Sequence, residues 1–187
     1  IGKNNLLLYN KSSLSEALNQ KYYLAELTIK RKLFHTLIIN LREKQQTVIW
    51  REDEKYYFLD SDGNMINQLD PLNINSADYP LIENLTAIKI NERQANINKE
   101  TIAYILSLFS EFKNNKHGFT VERFIVDQDV NTVKVAVLGG PKIFYNTRTP
   151  AAEQTAKLDL IINQKLKDSF KTKTQIDLRY ANNVYIK

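Results

Sequence analysis

The chain has 187 residues, 43% of them hydrophobic and 25% charged, with five Gly, four Pro and no Cys. That balance describes a folded globular protein rather than a disordered or fibrous one, and the lack of Cys excludes disulfides and thiolate metal sites. The formal charge of +5 comes from 26 basic against 21 acidic residues dispersed along the chain, which argues only weakly for nucleic acid.

No stretch approaches the ~18 consecutive apolar residues of a membrane span. The first residue is Ile1 rather than Met, so a processed or truncated piece is expected. Ser13-Leu14-Ser15-Glu16 reads as a capping box for a short helix, with Leu14, Ala17 and Leu18 on its apolar side. Strands are expected at 25–31 and 36–43, around a turn at Leu33-Phe34-His35. Leu37-Ile38-Ile39 is nearly continuous in apolar character, as a central strand covered on both faces would be. A domain boundary is placed at Lys44-Gln45-Gln46, giving domains 1–46 and 47–187.

Strand-like runs at 48–50, 56–59 and 65–66 follow, the last two joined by Asp60-Ser61-Asp62-Gly63-Asn64, whose Asp-Gly step predicts a tight hairpin. Residues 67–98, with Pro71 and Pro80, read as a meandering connection with a short strand at 87–90. Asn98 caps a helix whose Ile102, Ile105, Leu106, Phe109 and Phe112 share one face. Residues 119–126 and 132–138 are strands, the second alternating Val133, Val135 and Val137, and Gly139-Gly140 turns the chain into a strand at 142–145. Thr149 as N-cap, Pro150 and Glu153 open the last helix, with Leu158, Ile161, Ile162, Leu166 and Phe170 facing the core. At the end, Ile176, Leu178 and Tyr180 alternate with Asp177 and Arg179, Ala181-Asn182-Asn183 interrupts, and Val184-Tyr185-Ile186 resumes strand character. A strand at a chain end raises the question of what pairs with its far edge.

Candidate chemistry is sparse. His35 and His117 have no carboxylate or second His at metal-ligand spacing and read as surface residues. Asp60-Ser61-Asp62-Gly63 places Gly fourth where a calcium loop needs it sixth. Nucleophile-elbow, Walker and dinucleotide signatures are missing, and Glu122 and Asp127 read as solvated charges. No catalytic, cofactor-binding or metal residue is therefore assigned, and no enzyme is expected. Lys30-Arg31-Lys32 and Lys165, Lys167, Lys171 and Lys173 are the basic clusters, but Tyr22-Tyr23 and Tyr56-Tyr57 read as strand packing rather than base-stacking platforms.

In order and spacing the pieces resemble the extracytoplasmic region of the bacterial cell-division family FtsQ/DivIB. Gly2-Lys3-Asn4, the strand ending at Arg31, the Thr36-Leu37 re-entry and the Glu43-Lys44 exit look like the second half of a POTRA domain. "YFLDSDGNMI", "YPLI", the two helices and "IDLRY" before a final strand are similar to the family's β-domain. The resemblance implies an α+β chain: a partial POTRA subdomain, then a mostly antiparallel sheet with two packed helices. Two departures stand out. The family's Leu-Pro is replaced by Leu33-Phe34-His35, and the opening POTRA strand and helix would precede Ile1, with a membrane-anchoring helix upstream.

The implied function is a non-enzymatic scaffold at the division septum, on the extracytoplasmic face of the bacterial cell membrane. It would bind FtsB/DivIC-like and FtsL-like partners and no nucleic acid. The partner would add a strand to the edge at 184–187, with 176–180 as the inner arm and Ala181-Asn182-Asn183 as the turn. Asn182 and Asn183 of the turn and Val184 and Ile186 of the edge would meet the partner, Tyr180 and Tyr185 suit aromatic anchoring, Arg179 suits a carboxylate, and Arg148 matches a basic position facing an acidic partner helix. Ordinary cross-strand packing of Tyr180 and Tyr185 stays open beside this. Another POTRA-bearing membrane-assembly protein and a basic nucleic-acid-binding domain are the alternatives.

Overall fold

Asn10, three residues ahead of the expected capping box, opens the first helix. Its Oδ1 accepts the Ser12 N–H at 2.9 Å, so Ser13 and Ser15 fall inside α1 (Lys11–Lys21). This is the computed structural model of the chain, which describes residues 10–32, 36–74, 76–114, 117–181 and 183–187. The expected features at Gly2-Lys3-Asn4 and at Leu33-Phe34-His35, including His35, lie outside the described residues.

Strands β1 (Leu24–Lys32) and β2 (Thr36–Glu43) form an antiparallel pair that aligns Ile29 with Ile39 and Leu27 with Leu41. Residues 37–39 do not form a covered central strand. Ile38, Ile39 and Leu41 are 38–46% exposed, because consecutive residues of a strand point to opposite faces and this sheet has two strands among the described residues. Tyr22 and Tyr23 precede β1 and are exposed rather than packed within a strand. By internal contacts the chain divides into two units, Ile1–Gln45 and Gln46–Lys187.

The second unit is built on a nine-stranded sheet. Its strands are β3 (Val48–Glu52), β4 (Lys55–Leu59), β5 (Met65–Leu69), β6 (Leu81–Asn84), β7 (Val121–Val126), β8 (Thr132–Val137), β9 (Lys142–Asn146), β10 (Gln175–Asp177) and β11 (Tyr185–Ile186). Their order is β11-β10-β9-β8-β7-β6-β3-β4-β5, mostly antiparallel, with parallel pairs at β3/β6, β6/β7 and β9/β10. The Asp-Gly turn forms as the sequence predicts: Asp60 Oδ1 accepts the N–H groups of Asp62 and Asn64, and Gly63 sits at φ 83°. A Cβ on Gly63 would lie 2.9 Å from the Gln94 side chain and 3.1 Å from the Ile97 carbonyl, so only Gly fits. The short strand lies at 81–84, not at 87–90. There the side chains of Asn84 and Thr86 take the Ile88 carbonyl, and Glu52 takes the Ile90 N–H, satisfying that backbone without a ladder.

Helix α2 (Lys99–Asn114) starts where expected, with Asn98 Oδ1 accepting the Thr101 N–H at 2.7 Å. Helix α3 (Ala151–Ile161) takes Pro150, not Thr149, at its N-cap position without a side-chain cap bond, then continues through a π turn at 162–166 and a 3-10 segment at 167–172. Ile102, Ile105 and Leu108 of α2, Leu158 of α3, and Leu166 and Phe170 beyond it pack with Trp50, Ile82, Phe124, Val135, Ile143, Tyr145 and Ile176 of the sheet into one core. The opposite parity of the central strands carries paired charge: Glu83 bridges Arg123 at 2.7 Å and Arg51 at 3.4 Å, and Lys134 pairs with Asp127. Glu122 and Asp127, expected as solvated charges, are thus ion-paired, Glu122 with Arg123.

Candidate functional site

The strand order leaves β11 at one end of the sheet, where the sequence places the partner edge. It pairs antiparallel with β10, Ile176 opposite Ile186 and Asp177 opposite Tyr185. The inner arm is shorter than the alternation through Tyr180 suggests, and the connection spans 178–184. Asp177 explains the early stop: its Oδ1 accepts the Arg179 N–H at 3.1 Å, a local turn that competes with the ladder. Leu178 stays buried and gives its N–H to the Phe144 carbonyl of β9.

Lys187 and Gln175 exchange N–H and carbonyl at 3.0 and 3.4 Å, which makes them a hydrogen-bonded pair. In an antiparallel ladder the next residue, Ile186, therefore turns its N–H and carbonyl away from β10. Side chains divide by the same alternation. Val184 and Ile186 pack against the core, whereas Tyr185 lies on the other face. There its ring meets Tyr180 edge-on at 5.1 Å, while the two remain 55% and 49% exposed. The two tyrosines pack on each other and still present aromatic surface.

Two cations hold the connection between β10 and β11. Arg179 donates to both Asp177 oxygens at 2.9 and 2.7 Å and to Asp129 Oδ2 at 3.0 Å, and stacks over Phe144 at 5.2 Å. Its guanidinium is therefore engaged within the chain, clasping the connection to the turn between β7 and β8. The Thr132 hydroxyl, then the Asn131 N–H and the positive charges of Arg179 and Lys134, hold the Asp129 carboxyl below the usual carboxylate range against partial desolvation. Lys157 of α3 donates to the carbonyls of Tyr180, Ala181 and Asn183 at 2.6, 3.0 and 3.1 Å. Asn182 lies outside the described residues.

Arg148 stands in the turn between β9 and α3. Its N–H is held by Asn146 Oδ1 at 3.0 Å, and its exposed side chain makes no ion pair among the described residues. Because β9 and β10 run parallel with Phe144 beside Asp177, this turn opens at the same end of the sheet as Arg179, Tyr180 and Tyr185. Gln154, buried in α3, fixes it: its amide accepts the Asn146 N–H and donates toward the Asn146 and Thr149 carbonyls and the Tyr104 hydroxyl. Neither Lys157 nor Gln154 is singled out by the sequence. A lysine whose acceptors lie 23–26 positions downstream leaves no local pattern.

His117 is not a surface histidine. Its side chain is 3% exposed, bonded to Asp159 at 2.7 Å and packed against Phe112 and Phe119. Among the described residues no group of three or more His, Cys, Asp or Glu could hold a metal, and no helix is long and apolar enough to cross a membrane.

No family model matches the chain. It is 23% identical over 202 positions to the Cell division protein DivIB of Clostridium acetobutylicum, an alignment spanning 96% of this chain and 70% of that protein. It is 24% identical over 118 positions to the Cell division protein DivIB of Clostridium tetani, covering 60% of this chain and 44% of that protein. With the α+β architecture, these two relatives support placing the chain in the FtsQ/DivIB family.

Proposed function

We propose that the chain is the extracytoplasmic part of a division scaffold, with no catalytic role. Residues 1–46 form the remainder of a POTRA module, and 47–187 form a β-domain that docks partners at its β11 edge. The partners are FtsB/DivIC-like and FtsL-like proteins, each supplying an extended segment that continues the sheet, and the place of action is the membrane face at the division septum. The scaffold thereby connects early division proteins to septal peptidoglycan assembly. The single observation that carries this reading is the combination at β11: an outermost strand turning the polar groups of Ile186 outward beside the half-exposed Tyr180–Tyr185 pair.

Magnitudes say what each part must do. About four backbone hydrogen bonds at ~0.5–1.5 kcal/mol each come to a few kcal/mol. Association costs at least ~4 kcal/mol in lost freedom, so an edge this short needs side-chain anchors. The tyrosine pair supplies apolar area, and Arg148, without an ion pair among the described residues, supplies positive charge for an acidic partner segment. Arg179, already engaged by two carboxylates, shapes the site.

Calorimetric titration with the extracytoplasmic segment of the same organism's FtsB/DivIC-like protein tests the reading. Ile186→Pro removes an outward N–H and no intrachain ladder bond, and an edge strand tolerates Pro at such a position. The native chain is expected to bind and the Pro variant to lose most of its affinity while staying folded. Equal binding by both would move the interface away from this edge.

A further inference from the structure

We infer that Lys157 is the positioning residue of the β11 edge: its ammonium fixes the connection between β10 and β11 in the one geometry that presents Tyr180, Tyr185 and the outer backbone of β11 to a partner strand. The inference rests on the docking role proposed above and adds a residue on a different element to it.

The geometry is specific. An ammonium has three N–H donors and no acceptor, and Lys157 places all three on main-chain carbonyls, those of Tyr180, Ala181 and Asn183, at 2.6–3.1 Å. No carboxylate shares the charge among the described residues, so this is not a surface ion pair that happens to lie near the chain. Backbone carbonyls of an irregular segment converge on one point only if something collects them, and a cation on a helix is a fixed collector.

The segment needs such a tie. β10 and β11 pair at two positions only, Ile176 with Ile186 and Asp177 with Tyr185, while the connection spans 178–184. A ladder that short does not hold its own closing loop, and local opening is the expected behaviour of a strand with so few pairings. Arg179 secures the start of the connection through Asp177 and Asp129, and Lys157 secures its remainder. Gln154, three positions before Lys157 and so on the same side of α3, holds the turn that carries Arg148. One short stretch of α3 thereby sets the relative placement of the basic residue and the aromatic edge.

The test compares the native chain with Lys157→Met, which keeps the length and loses the donors, Lys157→Arg, which keeps donors, and Lys165→Met, which removes the same charge from an exposed position elsewhere. Amide hydrogen exchange is read first, without partner. Lys157→Met is expected to speed exchange of the inward-bonded Lys187 amide by about tenfold, the scale of one or two hydrogen bonds, with α2 and β8 amides unchanged to show an intact fold. Lys157→Arg should restore most of the protection, and Lys165→Met should match the native chain. Unchanged exchange of the Lys187 amide in Lys157→Met, or an equal effect from Lys165→Met, overturns the inference. In titration with the FtsB/DivIC-like segment, Lys157→Met should bind about tenfold more weakly than the native chain and Lys157→Arg nearly as well. If the native chain itself does not bind that segment, the docking role fails, while the exchange result still decides whether Lys157 orders the edge.

Discussion

The two ends of the nine-stranded sheet are treated in opposite ways. At the β5 end the chain covers the start of its own edge, at 64–66. The Met65 N–H donates to the Arg93 carbonyl at 2.7 Å, the Arg93 guanidinium donates back to the Met65 and Ile66 carbonyls at 3.3 and 2.9 Å, and Asn64 bridges Gln94. That closure holds Glu92 and Arg93 at φ 47° and 68°, a backbone state costing on the order of 1 kcal/mol per non-glycine residue. At the β11 end, Ile186 turns its polar groups outward with two half-exposed tyrosines beside it. An unpaired edge invites association, and chains usually blunt it. The contrast teaches that blunting was available in this fold and was applied to one end.

The largest change would come from removing what the open edge rests on. Ile176→Ala, at a fully buried position of β10, should cost about 3 kcal/mol in urea denaturation and abolish partner binding with it. Opening the closed edge comes next. Arg93→Ala should lose about 1–2 kcal/mol, the value of its bonds to two carbonyls, and should turn a monodisperse chain into one that self-associates with concentration in light scattering. If Arg93→Ala stays monomeric, the closure is not protective and the comparison loses its meaning. Tyr185→Ala should cost only about 1 kcal/mol of stability, because its ring packs chiefly on Tyr180, yet weaken partner binding by tenfold or more. Smallest of all in stability is Arg148→Glu, within about 0.5 kcal/mol by thermal denaturation, with a slower association rate and a flatter salt dependence in stopped-flow binding.

Part of the fold could be read from residue order, and the failures have local causes. Alternation at Val133, Val135 and Val137 and the Asp60–Asn64 turn gave strand and hairpin correctly, because period and turn chemistry are short-range signals. The strand at 81–84 escaped notice because it is four residues long, follows Pro80 and owes its pairing to distant β3 and β7. Apolar residues at 87–90 misled, since their backbone is taken by side chains of Glu52, Asn84 and Thr86. At the candidate edge, the alternation from Ile176 to Tyr180 overran the arm by three positions, as an Asp side chain stopped the ladder at Asp177. The closing role of Arg93 and the holding roles of Lys157 and Gln154 depend on partners 27 or 28, 23–26, and 5–50 positions away respectively, so no local pattern announces them.

The most direct test of an open edge is the exchange of one amide with and without partner. The Ile186 N–H points away from β10, whereas the neighbouring Lys187 N–H is bonded to the Gln175 carbonyl. In the free chain Ile186 should exchange much faster than Lys187 by nuclear magnetic resonance. Addition of the FtsB/DivIC-like segment at saturation should slow Ile186 by at least ~100-fold while changing Lys187 far less, which is the signature of a strand added on the outside. Saturated binding that leaves the Ile186 amide exchanging as in the free chain would contradict strand addition at β11.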